Sequence, residues 1–272
     1  MRWLVLLVVT ACTTYDPIAE VPHRHRELAD TASAISMILA ENATPQVYAI
    51  GEYHQTRTAI AKTSPLARFT HEIIALLEPH AHHLVVETWL DAACSASGEV
   101  NATTARPGTT QMEIMRLMAS SRHAGLEAHA LPITCIEYDS VIDASGHIDF
   151  LLLLELVTDK LAATTRSLLA ADPAHAVIVY GGALHNDLYP RWPLDELSYA
   201  RPMAQDGIRV LEIDLVVPEV VAHMPMVRDE PWFPLLGRAS PDRVIVWDRG
   251  PGSYVVILPA QDEAVAMVAK LM

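Results

Sequence analysis

Basic side chains are scarce in this chain. Nineteen Lys and Arg stand against 33 Asp and Glu in 272 residues, a formal charge of −14. That balance argues against a nucleic-acid partner, whose binding depends on cations that neutralise phosphates, and against electrostatic docking on anionic lipid. Long apolar runs are missing beyond the extreme N-terminus: the most apolar later stretch, Phe150 to Val157, contains Glu155 and is soon followed by Asp159 and Lys160, too polar for a membrane span. There is no G-x-S-x-G, no G-x-G-x-x-G, no phosphate loop and no C-x-x-C, which removes the common serine-hydrolase, dinucleotide, nucleotide and thioredoxin-like readings. His71-Glu72 begins like a zinc-protease H-E-x-x-H, but position 75 is Ala and the second histidine is missing. No internal repeat or low-complexity tract occurs.

What is present is concentrated at the ends of apolar strands. Val47-Tyr48-Ala49-Ile50 runs through Gly51 into Glu52-Tyr53-His54; Leu84-Val85-Val86 ends on Glu87; Val177-Ile178-Val179-Tyr180 runs through Gly181-Gly182 to His185. Two acids and two histidines thus lie where open α/β sheets build their ligand sites. Glu52 and His54 share a face if the backbone stays extended, because alternate strand residues point the same way. Such groups suit Mn, Fe, Co or Zn as ligands, or can act without metal as general base and acid, a carboxylate tuning each imidazole.

The chain is long enough for one large domain or two small ones, and its 51 % hydrophobic content can fill a substantial core; one domain over 27–272 is favoured. Helical spacing recurs over Glu27 to Glu41 (Leu28, Ile35, Ile38, Leu39), from Leu66 to Leu77 with Pro79 as a stop, from Gln111 to His123 and from Ile148 to Ala171. Met112, Met115 and Met118 form one stripe and are read as core. Further strands are expected at Leu126 to Leu131 and Arg209 to Val216, with a hairpin from Arg243–Trp247 to Tyr254–Leu258 and a closing helix. Strands alternating with helices and followed by a hairpin predict an α/β fold: a mainly parallel central sheet flanked by helices, with antiparallel strands at its C-terminal end. The segment between Pro218 and Pro241 is either a lid walled by Trp232 and Phe233, with His223 or Tyr254 as a possible iron ligand, or a loop packed on the sheet. His80, His82 and His83 precede the second strand and fall at the opposite sheet edge from Glu87; they, His123 and His129 read as surface residues, the first three as adventitious metal binders.

The N-terminus carries Arg2 and the apolar run Trp3 to Val9, too short for a permanent span but suited to a secretory signal. Val9-Thr10-Ala11-Cys12 resembles the lipobox of bacterial lipoproteins. The resemblance implies removal of residues 1–11, acylation of Cys12, attachment to the membrane through the acyl chains, and sorting to the outer membrane with Thr13 following; an ordinary cleaved signal peptide is the alternative. Residues 12–26 would then be a tether. Cys94 and Cys135 remain, and in an oxidising envelope they read as a disulfide, two separate thiols or, for Cys135, a metal ligand.

Gly51-Glu52-Tyr53-His54, Glu87 and Gly182-Ala183-Leu184-His185 together resemble the superfamily that joins ChaN-like haem-binding lipoproteins, TIKI/TraB-type proteins and erythromycin-esterase-like enzymes, over roughly Val47 to Asp187. The resemblance implies an α/β fold with Glu52, His54, Glu87 and His185 facing one cleft. The activity it implies is either metal-assisted or histidine-based hydrolysis of a small molecule or peptide, or haem or iron binding without turnover, through His54, His185 and Tyr254. After His54 the chain departs from the ChaN-like pattern, Gln55-Thr56-Arg57 standing where Asp-Asn is expected. The hydrolytic expectation makes Glu52, His54 and His185 ligands or water-orienting groups for a divalent metal and Glu87 a base or a further ligand.

Overall fold

The computed structural model describes residues 25–58, 61–88 and 106–261. The expectations for residues 1–24, including Cys12, for Cys94 and for the closing helix lie outside the described residues. Among the described residues no helix is long and apolar enough to cross a membrane.

Eight strands form one sheet: β1 (His25–Leu28), β2 (Val47–Glu52), β3 (Ala81–Val86), β4 (Glu127–Ala130), β5 (Ala176–Gly182), β6 (Val210–Val216), β7 (Val244–Gly250) and β8 (Ser253–Ile257). Their order is β1-β7-β8-β6-β2-β5-β3-β4, and β7 alone runs against the rest. The expected mainly parallel sheet with a C-terminal antiparallel hairpin is therefore present. β5 is inserted between β2 and β3, and the chain then crosses to the other side of β2 to make β6. The cleft outside the C-terminal ends of these strands is the place where such a reversal of direction opens room for a ligand.

Both faces of the sheet are covered, as parallel strands require. On β2, Tyr48 and Ile50 join a layer with Ile35 and Ile38 of α1 (Thr31–Glu41), with Phe69 and Leu77, and with Leu117. Val47 and Ala49 face the other way, against Leu153, Val157 and Leu161, so the period of two distributes the apolar residues between two cores. The first layer contains α2 (Pro65–Arg68), which passes through a π-helical turn at Phe69–Ile73 into α3 (Ile74–Leu77), and α4 (Thr110–His123). α3 gives way to a 3-10 turn over Glu78–His80, in keeping with Pro79 as a stop. Beyond β4 lies α5 (Cys135–Asp139), and the second layer contains α6 (Phe150–Ala171) and α8 (Ala200–Gln205), with the short α7 (Ala183–Asn186) directly after β5. α9 (Pro218–Val221) opens the Pro-rich segment.

Three expectations are corrected. The helix predicted from Glu27 begins at Thr31, because the Asp30 side chain accepts the Ser33 N–H as its cap. His25–Leu28, including the end of the supposed tether, instead pairs antiparallel with β7. The methionine stripe is not core: Met118 is buried, but Met112 and Met115 are 52 % and 54 % exposed. The buried face of α4 runs through Ile114, Leu117, Met118 and Ser121, the i, i+3, i+4, i+7 spacing of a helix face. The third correction concerns His83 and His129, which are buried and half-buried respectively rather than on the surface. Of the readings for Cys135, the structure carries the disulfide; Cys94, its expected partner, lies outside the described residues. The Pro-rich segment packs on the sheet, with Val227, Trp232, Leu235 and Leu236 forming a third core against Ile245, Trp247, Val255 and Ile257.

Candidate functional site

Glu52 is the last residue of β2 and is 6 % exposed. Two residues on, His54 turns its Nδ1 onto Glu52 Oε1 at 2.7 Å, the same-face pairing that an extended backbone dictates. The other oxygen of Glu52 accepts the Tyr180 hydroxyl. Burial first, and then the charge of Glu52, hold the Tyr180 phenol well above its ordinary pKa, so it remains a donor. Its ring stacks on Phe69 at 4.4 Å, which anchors the carboxylate through the π-helical turn.

Glu87 follows β3. Its Oε2 accepts the backbone N–H of Gly182 at 2.5 Å, and its own N–H donates to Tyr180 C=O at 2.9 Å. Arg106 completes the cluster: Nη2 lies 2.5 Å from His54 Nε2 and 3.5 Å from Glu87 Oε1, while His54 Nε2 and Glu87 Oε1 are 3.6 Å apart. A guanidinium only donates, so His54 Nε2 must be the acceptor and Nδ1–H the donor to Glu52. Burial would raise the Glu87 carboxyl pKa, but His54, His185 and Arg106 outweigh it and hold the group far below the carboxylate range. For His54, burial and then Arg106 oppose the charged form, while Glu87 and Glu52 favour it more strongly, and its pKa is raised. The imidazole is therefore balanced between two carboxylates that draw a proton to it and a guanidinium that holds it neutral.

His185 is on α7 and 2 % exposed. Burial pushes its pKa down. Its Nδ1 lies 3.1 Å from Leu197 C=O and 2.8 Å from the Thr158 hydroxyl, which itself donates to backbone carbonyls. The neutral ring therefore carries its proton on Nδ1 and donates it to Thr158 Oγ1 and Leu197 C=O. The glycines are required by close approach. A Cβ on Gly182 would meet His54 Nε2 at 3.1 Å and Glu87 Oε2 at 3.4 Å, and one on Gly51 would fall 2.0 Å from Asp214 Oδ1.

Asp214, on β6, extends the polar cluster. It is buried, and burial, reinforced by Glu212, raises its pKa well above the usual carboxylate value; Glu212 is pushed up to about 7, again by burial first. Arg249 bridges Asp187 at 2.8 Å and Glu212 at 3.2 Å. Asp187, Asp214 and Arg249 border a cavity of about 1110 Å³. Its polar floor holds Glu52, His54, Glu87, Arg106 and His185, and its apolar wall includes Phe150, Leu153, Val157, Met224 and Trp232.

The four residues expected to share one cleft do so. Within it Glu52 and His54 hydrogen-bond each other, and the guanidinium of Arg106 lies on the side of His54 that faces Glu87. Among the described residues, the His and carboxylate donors that gather within 4.8 Å of one another are elsewhere. Tyr254 is corrected. It is buried in the first core layer, where its hydroxyl accepts from Asn42 at 3.0 Å, and it does not line the cavity. His223 and Trp232 do line it. Sequence reasoning missed Arg106, Tyr180 and Asp214; the signal available for the last two was a polar group on an otherwise apolar strand.

No family model matches this chain, and no curated protein does. A solved structure, that of the type III effector HopBA1, is similar with a TM-score of 0.47 and 16 % identity, covering 88 % of this chain and 97 % of its own. Likeness at that level bears on no functional statement.

Proposed function

We propose that this cleft hydrolyses an ester, lactone or amide by histidine base catalysis. The observation that carries this reading is the Glu52–His54 pair: Nδ1–H is committed to Glu52, which leaves the Nε2 lone pair aimed at the polar floor of the cavity. A substrate carbonyl that draws Arg106 to its oxygen frees Nε2 to accept a proton from water. The water oxygen then bonds to the carbonyl carbon, the carbonyl π electrons move to oxygen beside the guanidinium, and Glu52 and Glu87 stabilise the imidazolium. The same proton passes to the leaving group as its bond to carbon breaks. His185, neutral and lining the cavity, orients the water or the substrate.

The motif resemblance to the ChaN-, TIKI- and erythromycin-esterase-like superfamily supports a hydrolytic member exported as a lipoprotein. The donor set supports the metal-free form of the reaction, because Arg106 stands where a cation would have to sit. Haem or iron binding at His54 would first have to displace Arg106. The test is hydrolysis of a panel of aryl esters and lactones by the parent chain, Glu52→Gln and His54→Ala. Each variant is expected to lower turnover by ~10²–10⁴-fold; an unchanged rate in either, or a haem Soret shift that His54→Ala abolishes, would overturn the reading.

A further inference from the structure

A second group of histidines and carboxylates lies at the opposite, N-terminal edge of the sheet. His82 and His83 lie near the start of β3, Glu127 and His129 come from β4, and Asp172 and His175 lie in the turn between α6 and β5. The ladder sets His83 directly opposite Glu127 and Val85 opposite His129. This edge therefore gathers three segments of the chain by strand order alone.

His83 decides what the group is for. It is 5 % exposed, and its Nε2 has no hydrogen-bond partner. That nitrogen faces Asp172 Oδ2 at 3.6 Å, and His82 Nδ1 approaches the same oxygen at 3.0 Å. On the other side of the ring, Nδ1 is 3.2 Å from His129 Nε2 and 3.4 Å from Glu127 Oε2. With Nδ1–H donated to Glu127 or His129, the Nε2 lone pair is buried against a carboxylate. In that tautomer two electron-rich atoms face each other, and a cation between or beside them satisfies both. A carboxylate that holds the far N–H of an imidazole is also the arrangement that orients metal-binding histidines. The donor spacings suit a tetrahedral ion: ligand bonds of about 2.0–2.1 Å put donors about 3.3–3.4 Å apart, between the two observed values.

We propose that His82 Nδ1, His83 Nε2 and Asp172 Oδ2 bind one transition-metal cation of the zinc, cobalt or nickel class, tying β3 to the α6–β5 turn. Two imidazoles and one carboxylate select these ions over magnesium or calcium. His175 flanks the site, its Nδ1 holding Asp172 Oδ1 at 2.8 Å. The role is a structural clamp, since the site lies at the edge away from the Glu52–His54 cleft.

Titration of Zn²⁺ into the full chain near neutral pH, followed by calorimetry and by thermal unfolding, tests this. One equivalent should bind at this edge, with an affinity at least ~100-fold weaker in His82→Gln and in Asp172→Asn, and ~10-fold or more weaker in Glu127→Gln, whose residue acts only through His83. The His82 side chain is 41 % exposed, so His82→Gln keeps the fold, which circular dichroism verifies. Zinc should raise the unfolding temperature of the parent and not of His82→Gln. Absence of binding in the parent, equal binding in His82→Gln and Asp172→Asn, or loss of binding in His54→Ala alone would overturn the proposal.

Discussion

The two edges of the sheet are built from the same side chains and differ in what closes them. At the C-terminal edge, Glu52, His54 and Glu87 are closed by a guanidinium that lies against His54 Nε2 and Glu87 Oε1. At the N-terminal edge, the ion pairs of Asp172 among the described residues are with His82, His83 and His175 and none with Arg or Lys, and a buried ring nitrogen of His83 is left without a hydrogen-bond partner. A histidine beside a carboxylate is therefore not yet a function. In the two proposals made above, a neighbouring fixed cation goes with the role of a base and the lack of one with the role of a ligand.

Replacement of Arg106 should break the comparison most visibly. Arg106→Ala leaves His54 Nε2 and Glu87 Oε1 facing each other at 3.6 Å with no guanidinium, and a second Zn²⁺ equivalent should appear in calorimetry. Arg106 disfavours the imidazolium, so its removal raises the His54 pKa further. A base must be unprotonated to act, so the rising acid limb of the pH–rate profile should move to higher pH and the residual rate should fall. A profile that stays in place would separate Arg106 from His54.

Packing distinguishes the edges next. At the C-terminal edge Gly51→Ala would press a Cβ against Asp214 Oδ1 and within 2.8 Å of the Ala183 Cα. A backbone contact of that kind cannot be relieved by a rotamer, and a loss of about 3 kcal/mol is expected in urea unfolding. Titration gives a further contrast. Buried Glu212 keeps its proton up to about 7 in the folded chain, whereas an unfolded glutamate ionises near its ordinary value of about 4.3. Unfolding in that window releases a proton, so this contribution to stability is full below the ordinary value and is lost as pH rises through about 7. Glu212→Gln should flatten that decline in thermal unfolding measured across the window. The smallest effect belongs to α4, which lies between the edges: Met115→Glu, at a half-exposed position, should change stability by no more than about 0.5 kcal/mol.

Much of the candidate site was legible along the chain. An apolar strand passing through glycine into Glu52 and His54 can place both on one face, and their 2.7 Å contact follows from the period of two. Glu87 and His185 were legible as strand-end residues for the same reason. Arg106 was not, because a lone arginine in a segment without periodicity carries no sign of its neighbour 52 positions away. The methionine stripe misled because Met112 and Met115 share an approximate spacing with the buried face of α4, which Met118 joins, while lying beside it. Tyr254 misled because closeness in a proposed pocket was inferred without knowing toward which face of β8 it turns.

The sequence by itself determined the alternation of strands and helices, the two-sided apolar faces of the sheet and the Glu52–His54 pair, since all of these rest on interactions between residues close along the chain. Only the tertiary structure decided that β5 lies between β2 and β3, which sets Tyr180 on Glu52 and Gly182 on Glu87. It also decided that Asp172 meets His82 and His83 at the far edge. Strand order is settled by burial of both sheet faces over the whole chain, a condition that no local pattern encodes.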